Sequence, residues 1–156
     1  MGAISVRPAT PDDLPWIVSQ LPEYSDGYTP NGKQLFTDAD TASAQLSTFM
    51  DTGNVLLVAH DGGTLVGFMA GLLTPHFMNP GIKVLAHLLW WVPKMFRNTR
   101  AAALLLKEFS RIGYERADIT SLNLQKQAII KDASLRRYGF VPHEVTYLME
   151  AAQCQP

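Results

Sequence analysis

The clearest pattern along the chain is an apolar run that is followed by a helical repeat. Val84–Val92 is apolar apart from His87, and Pro93 follows it. Such a run is typical of a central strand buried on both faces, although periodicity alone also allows a buried helix. After a short turn, apolar residues recur at three- and four-residue steps: Ala102, Leu105, Phe109 and Ile112. This spacing predicts an amphipathic helix, and Gly113 is predicted to end it as a C-cap residue.

The first fifty residues indicate one strand and two helices. Residues 4–7 resemble a short strand. The next residues are typical of a helix start, with an N-cap, a proline at the first helical position and an acid at the third: Thr10, Pro11 and Asp13. Residues 22–36 hold two prolines and two glycines, so we expect a loop there. Thr37 is predicted to cap a second helix that ends near Met50.

The remaining segments complete a mixed sheet. Residues 55–59 and 64–73 resemble strands joined by an Asp-Gly hairpin, and Gly67 and Gly71 predict a bulge or a close backbone approach in the second. Residues 117–124 read as a strand parallel to 84–92, because a right-handed helical crossover joins them. A helix over 126–138, with Gly139 as its C′ residue, and a strand or hairpin over 140–149 follow. The pattern predicts one α/β domain over residues 1–150, with a frayed tail over 151–156.

Composition narrows the class of protein. A chain of 156 residues fits one domain, and a net charge of -1 predicts no general attraction to nucleic acid or to anionic membranes. The single cysteine, Cys154, allows no internal disulfide, and the sequence holds no zinc-ligand pattern. We expect no secretory signal and no membrane span, since no apolar run approaches about 20 residues. A cytoplasmic protein is the resulting expectation, and a homodimer stays open.

The turn between the apolar run and the helix has the chemistry of an anion site. The first amides of a helix lack internal acceptors, and they lie at the positive end of the helix dipole. Arg97 and Arg100 add positive charge, and Ala101 and Ala102 would let a ligand approach the backbone. These features predict binding of a phosphate group, more specifically of a pyrophosphate. The alternative is an ordinary basic surface turn.

This turn resembles the acetyl-CoA pyrophosphate loop of the GNAT superfamily of N-acetyltransferases, whose pattern is Gln/Arg-x-x-Gly-x-Gly/Ala. Arg97 matches the first position and Ala102 the last, whereas Arg100 replaces the central glycine. The Trp-Trp-Val…Arg-x-x-Arg-Ala version is similar to GNAT proteins encoded by bacteriophages and prophages. The opening Arg-Pro-Ala-Thr-Pro-Asp-Asp-Leu and the Tyr-Gly-Phe that ends at Phe140 also resemble family signatures. The order of predicted elements coincides with the family's order over nearly the whole chain.

The resemblance implies a GNAT-like fold: a mixed, mostly antiparallel sheet with one parallel βαβ unit flanked by helices. It also implies acetyl-CoA as co-substrate, an amine acceptor and no metal. Strand main chain at Trp90, Trp91 and Val92 would hold the pantetheine arm. The amides of Asn98, Thr99, Arg100, Ala101 and Ala102 would hold the pyrophosphate together with Arg97. The segment after the first helix would wall the acceptor pocket, with four candidate contacts: Glu23, Tyr24, Asp26 and Tyr28.

Acid–base residues are less clearly marked. His87 is the only titratable residue in the apolar run, and an ordinary pKa near 6.5 suits a general base. The alternative is a core histidine held by a backbone carbonyl. In the family, a tyrosine four residues before the glycine of Gly-Phe often acts as general acid. Leu135 stands at that position, so Tyr138, about one helical turn away, is the candidate acid.

Two other functions fit the same pattern. One is a GNAT-fold module that binds acyl-CoA or a protein partner with little or no catalysis. The other is a partner protein that binds a host enzyme through an exposed apolar patch. The region Leu88–Met95 would supply that patch if the strand lay at a sheet edge.

Overall fold

The computed structural model describes residues 3–28, 35–124 and 132–143. Within these ranges, five strands and four α-helices follow one another in the order β1, α1, α2, β2, β3, β4, α3, β5 and α4. Their bounds are Ile4–Pro8 (β1), Leu14–Tyr28 (α1), Ala39–Asp51 (α2), Val55–Asp61 (β2), Thr64–Pro75 (β3), Lys83–Trp91 (β4), Ala101–Arg116 (α3), Ile119–Ser121 (β5) and Asp132–Arg136 (α4). Short 3-10 turns, Pro11–Asp13 and Lys94–Phe96, precede α1 and α3.

The strands form one sheet in the order β1-β2-β3-β4-β5. All neighbours are antiparallel except β4 and β5, which are parallel and joined by α3. The mixed α/β fold with one parallel βαβ unit is therefore confirmed. Within the described ranges, no helix is both long and apolar enough to cross a membrane.

Helices cover both faces of the sheet, because most strand residues are apolar on both sides. On one face, Leu57, Met69 and Leu85 pack with Leu105 and Phe109 of α3. We call this the α3 face. On the other face, here called the α1–α2 face, the strands pack against the first two helices. The residues of that second cluster include Leu14, Ile17, Val18, Leu46, Leu56, Val58 and Phe68. The helical stripe predicted for α3 therefore does face the core, and α1 buries Leu14, Ile17 and Val18 in the same way.

The start of α1 is fixed by a buried carboxylate. Asp13 accepts hydrogen bonds from the backbone amide of Thr10, at 2.7 Å, and from Arg7 Nη1 and Nη2, at 2.6 and 2.9 Å. The Arg7 hydrogen bond is the main cause that lowers the pKa of Asp13 to about 2, and the Thr10 amide adds to it. The predicted acidic residue at the third helical position is thereby confirmed.

The loop expected over residues 22–36 is wrong for its first part, because α1 continues through Pro22 to Tyr28. An interior proline costs a helix about 3 kcal/mol, so tertiary contacts must offset it. Ser25 is only 4% exposed, and its hydroxyl accepts hydrogen bonds from the amides of Leu35 and Phe36. Residues 29–34 lie outside the described ranges. The N-cap of α2 is Asp38, not Thr37, since its carboxylate accepts from the Thr41 amide at 2.7 Å.

Gly113 is not a C-cap, because α3 continues past it to Arg116. The glycine is buried where the helix crosses β5, and a Cβ atom there would collide with the Thr120 side chain. Its small size, and not a left-handed conformation, is what the fold requires. A sequence cannot distinguish these two reasons for a glycine when both fall near the expected end of a helix.

The C-terminal part differs from the prediction in extent. β5 covers only Ile119–Ser121, because it separates from β4 beyond that point. α4 is described over Asp132–Arg136, and Gly139 has the positive φ of +85° expected of a C′ residue. Residues 140–143 are not a strand. The rest of the strand expected over 140–149, the start of the helix expected over 126–138, and the tail lie outside the described residues.

We expect Gly71→Ala to destabilise the protein. A Cβ atom at Gly71 would lie 2.5 Å from Phe109 Cε2 and 2.9 Å from Leu85 Cδ1, inside the packed α3 face. Overpacking of this kind typically costs about 1–3 kcal/mol, which would lower the melting temperature by several degrees. Gly63→Ala is the matched control, since nothing lies within 4 Å of its Cβ position. Equal melting temperatures of the two variants would contradict the packing argument.

Candidate functional site

The two parallel strands separate part-way along their length. β4 pairs with β5 at only three positions, which join Val84–Ala86 to Ile119–Ser121. Beyond Ala86, β4 continues to Trp91, while the pairing with β5 ends. In the part of the chain that the structure describes, the backbone of β4 from His87 onward therefore has one edge without a strand partner. The strand is therefore interior, as its two-faced apolarity predicts, and it is paired with β5 along its first half and separated from β5 along its second half. We call this gap the β4–β5 split.

A bulge in β4 coincides with the start of the split. Gly71 of β3 pairs with His87, and Ala70 pairs with Leu89, so Leu88 is an extra residue. Bulges bend a strand and increase its twist, which here accompanies the divergence from β5. The bulge also changes which side chains share a face. Trp90 packs on the α3 face, as His87 does, and Trp91 packs on the α1–α2 face.

The turn between β4 and α3 ends in a helix N-terminus with exposed charge. Thr99 Oγ1 donates to the Phe96 carbonyl at 2.6 Å and accepts from the Ala101 amide at 3.2 Å. The first helical bond runs from the Leu104 amide to the Arg100 carbonyl, at 3.0 Å. The amides of Ala102 and Ala103 therefore have no acceptor inside the helix. Asn98 is exposed and the alanines are small, so a ligand can approach these amides closely.

The two arginines of this turn are placed differently. Arg97 Nε donates to the Val92 carbonyl at 3.1 Å, and its guanidinium lies 5.0 Å from the centroid of the Trp91 ring. Arg100 is the exposed N-cap residue of α3, and its side chain makes no capping bond. Among the described residues, neither arginine has an acidic partner.

The charges of this turn favour an anionic ligand. The first turn of α3 holds no acidic residue, and uncompensated cations next to the positive end of a helix dipole are unfavourable. A phosphate or pyrophosphate group bound to the amides of Ala102 and Ala103 would offset this cost. The residues predicted to bind pyrophosphate, from Arg97 to Ala102, thus lie in one turn at the end of the β4–β5 split.

His87 is a buried polar residue on the α3 face. It is 6% exposed, and its ring packs edge-on against Trp90 and Phe109, with centroids 6.3 Å away in both pairs. Neither ring nitrogen forms a hydrogen bond within the described chain. Desolvation lowers the pKa of His87 to about 4, while backbone groups of Asn123 and Leu89, which lie near the ring without forming a well-aligned hydrogen bond, act to raise it. The imidazole is therefore neutral at pH 7. Its role as general base stays a prediction. The low pKa argues against that role, because it makes the imidazole a weak base.

Tyr138 lies beside the C-terminal half of α3. It lines a cavity of about 400 Å³ together with Ser110, Gly113 and Tyr114. Gly113 is twelve residues beyond Ala101, which corresponds to about 18 Å along a helix. The structure does not bring Tyr138 to the basic turn, and its role as acid stays a prediction.

The predicted acceptor residues lie at the end of α1. Tyr24 packs edge-on against Trp91, with ring centroids 5.9 Å apart, and Glu23 Oε1 is 4.0 Å from Lys94 Nζ. Asp26 is exposed, and the side chain of Tyr28 lies outside the description. Trp91 therefore contacts both α1 and Arg97. The sequence did not predict that Trp91 connects α1 to the basic turn, although the Trp-Trp pair is a conspicuous feature of the strand.

Comparisons with known proteins identify the fold. No protein-family model matches the sequence, and no curated protein matches it either. Solved structures do match: an acetyltransferase of Trypanosoma brucei has a TM-score of 0.72 and 16% identity over 95% of this chain and 99% of the other. A predicted acetyltransferase of Clostridium acetobutylicum with acetyl-CoA has a TM-score of 0.71 and 14% identity, over 97% and 98% of the two chains.

A transcriptional regulator of Bacillus halodurans is equally similar, with a TM-score of 0.72 and 19% identity over 95% of this chain and 99% of the other. The fold of this protein is thus that of the GNAT acetyltransferases, in agreement with the mixed sheet and its parallel β4–β5 pair. At this level of identity, the likeness shows the fold and leaves the activity to be argued from the site.

Proposed function

We propose that this protein is a cytoplasmic N-acetyltransferase that moves an acetyl group from acetyl-CoA to an amine of a protein or small molecule. The observation that carries the proposal is the position of the basic turn. The N-terminus of α3, with Arg97 and Arg100, lies directly after the strand whose edge is left open by the β4–β5 split. An anion site and an open strand edge are thereby placed next to each other.

The residues present fit a CoA molecule. The α3 amides and the two arginines match a pyrophosphate in charge and in hydrogen-bond donors. The open backbone edge of β4 from His87 to Trp91 matches the amides of a pantetheine arm, because a strand edge offers both N–H and C=O groups. Unpaired polar atoms on the same strand, in the imidazole of His87 and the indole of Trp90, also indicate a polar ligand.

Bound acetyl-CoA supplies the acetyl group as a reactive thioester. The main contribution of the protein is to hold the amine next to it, which can lower the barrier by several kcal/mol. We place the acceptor on the α1–α2 side, where Tyr24 and Trp91 form an aromatic wall. Because the pKa of His87 is about 4, we assign the ammonium proton to water and not to this imidazole.

One alternative function keeps support from a specific observation. Leu135 stands where the resembled family often has its tyrosine. A module that binds acyl-CoA without efficient transfer would need no acid at this position. The other alternative, a partner protein with an apolar edge strand, is weakened, since β4 lies between β3 and β5 along its first half.

A transfer assay distinguishes these functions. We expect CoA to bind in calorimetry, and we expect thiol release from acetyl-CoA to increase when an acceptor amine is added. The panel should contain small amines, amino acids and peptides with free N-termini, and mass spectrometry should show the acetylated product. Binding without amine-dependent thiol release would favour the binding module, and absence of CoA binding would contradict the proposal altogether.

A further inference from the structure

His87 lies at the opening of the β4–β5 split. It is the first β4 residue beyond the three paired positions, and it precedes the bulge at Leu88. The backbone of Asn123, which follows the end of β5, lies close enough to His87 to affect its pKa. The imidazole therefore lies on the α3 face beside the opening of the split, with the rings of Trp90 and Phe109 packed against it.

A buried histidine that serves only packing normally has a hydrogen-bond partner. The large majority of buried side-chain polar atoms are paired, because an unpaired one keeps the full cost of losing its water. His87 is 6% exposed, and both of its ring nitrogens are unpaired within the described residues, as is Trp90 Nε1 beside it. Two neighbouring side chains on one face of β4 thus offer polar groups to something that lies in the split.

We propose that His87, as a neutral imidazole, donates a hydrogen bond from one ring N–H to a carbonyl oxygen of the acyl-pantetheine arm of acetyl-CoA. This inference rests on the proposed function. A neutral imidazole carries one N–H donor, and a carbonyl oxygen only accepts, so the two groups are complementary. In this role His87 orients the arm and takes no proton from the amine.

Two kinds of carbonyl group in acetyl-CoA can accept this hydrogen bond, and binding measurements distinguish them. The amide carbonyls of the arm are present in both CoA and acetyl-CoA, whereas the thioester carbonyl is present only in acetyl-CoA. A hydrogen bond to an amide would strengthen the binding of both ligands, and one to the thioester would strengthen the binding of acetyl-CoA alone. The affinity of each variant for each ligand therefore identifies the acceptor.

The test compares His87→Gln, which keeps an N–H donor without a titrating ring, with His87→Leu, which removes it. His76→Gln is the control, since His76 lies in the turn between β3 and β4, at the other end of the strand. We expect His87→Leu to weaken acetyl-CoA binding by about fivefold or more, as loss of one hydrogen bond does, and His87→Gln to retain most of the affinity. Calorimetry measures both.

A second measurement uses the unsubstituted protein. With 15N-labelled histidine, NMR should show that the ring nitrogens of His87 shift when CoA or acetyl-CoA is added, while those of His76 do not. The inference is overturned if the Leu variant binds both ligands as tightly as the unsubstituted protein, if Gln and Leu lose affinity equally, or if the His87 resonances do not move. A protein that binds neither ligand would overturn the proposed function together with this inference.

Discussion

Arg100→Glu should weaken CoA binding by about tenfold or more, because it places a negative charge next to a bound pyrophosphate and removes a positive one. Arg100 is the exposed N-cap of α3, and no capping bond depends on its side chain, so the substitution should leave the fold intact. Calorimetry at low and moderate salt should show that the difference becomes smaller as ionic strength rises.

The matched control is Lys107→Glu, which changes the net charge by the same amount on the same helix. Lys107 is exposed and lies six residues beyond Ala101, about 9 Å along the helix. It should leave the affinity nearly unchanged. Arg97→Glu should weaken binding as well, and it should also lower the melting temperature, since Arg97 holds the Val92 carbonyl and packs on Trp91. If neither arginine variant altered the affinity, the turn would not be the anion site.

His87→Leu should stabilise the protein without ligand, and the gain should grow as the pH falls. The folded state holds His87 with a pKa of about 4, against 6.5 for an ordinary histidine. Between these values the unfolded chain binds the proton more tightly, so acidification from pH 6.5 towards 4 favours unfolding. A shift of this size corresponds to roughly 3 kcal/mol at the acidic end. Leucine carries no such penalty.

Thermal unfolding of both proteins at pH 7 and pH 5 measures this effect. The melting temperature of the unsubstituted protein should fall more on acidification than that of the Leu variant, by several degrees. Asp13 does not contribute to the difference, because both proteins contain it and its pKa of about 2 lies below this range. Equal pH dependence in the two proteins would show that His87 is not buried as a neutral group.

The sequence predicts the fold where local pattern and tertiary packing agree. The run Val84–Val92 is apolar on both faces, and in the structure it forms the interior strand β4. The helix after it is apolar on one face, and α3 buries that face. The sequence-based prediction fails where a contact with a distant segment determines the local structure. α1 continues past Pro22, where Tyr24 and Ser25 make tertiary contacts, and residue 113 must be small because β5 crosses α3 there. Such contacts join segments far apart in the chain, and no local pattern encodes them.

The same distinction applies to the site. The basic turn is a local feature, so its arginines and alanines could be found from spacing alone. The lowered pKa of His87 could not be predicted, because only burial among β4, α3 and the chain after β5 shifts it from the ordinary value near 6.5. The partners of Trp90 and Trp91 were hidden for another reason, since the bulge interrupts the two-residue alternation on which strand faces are read.

Leu88 shows a property that substitution experiments do not detect. Its side chain is 45% exposed and belongs to neither core cluster, so packing places little constraint on the residue type at this position. What the fold uses is its presence as one additional backbone unit, which bends β4 where the parallel pairing ends. The number of residues in this part of β4, and not the chemistry of the Leu88 side chain, therefore determines the bulge. Among homologous chains, residue type at this position should vary freely while the number of residues between His87 and Leu89 stays the same.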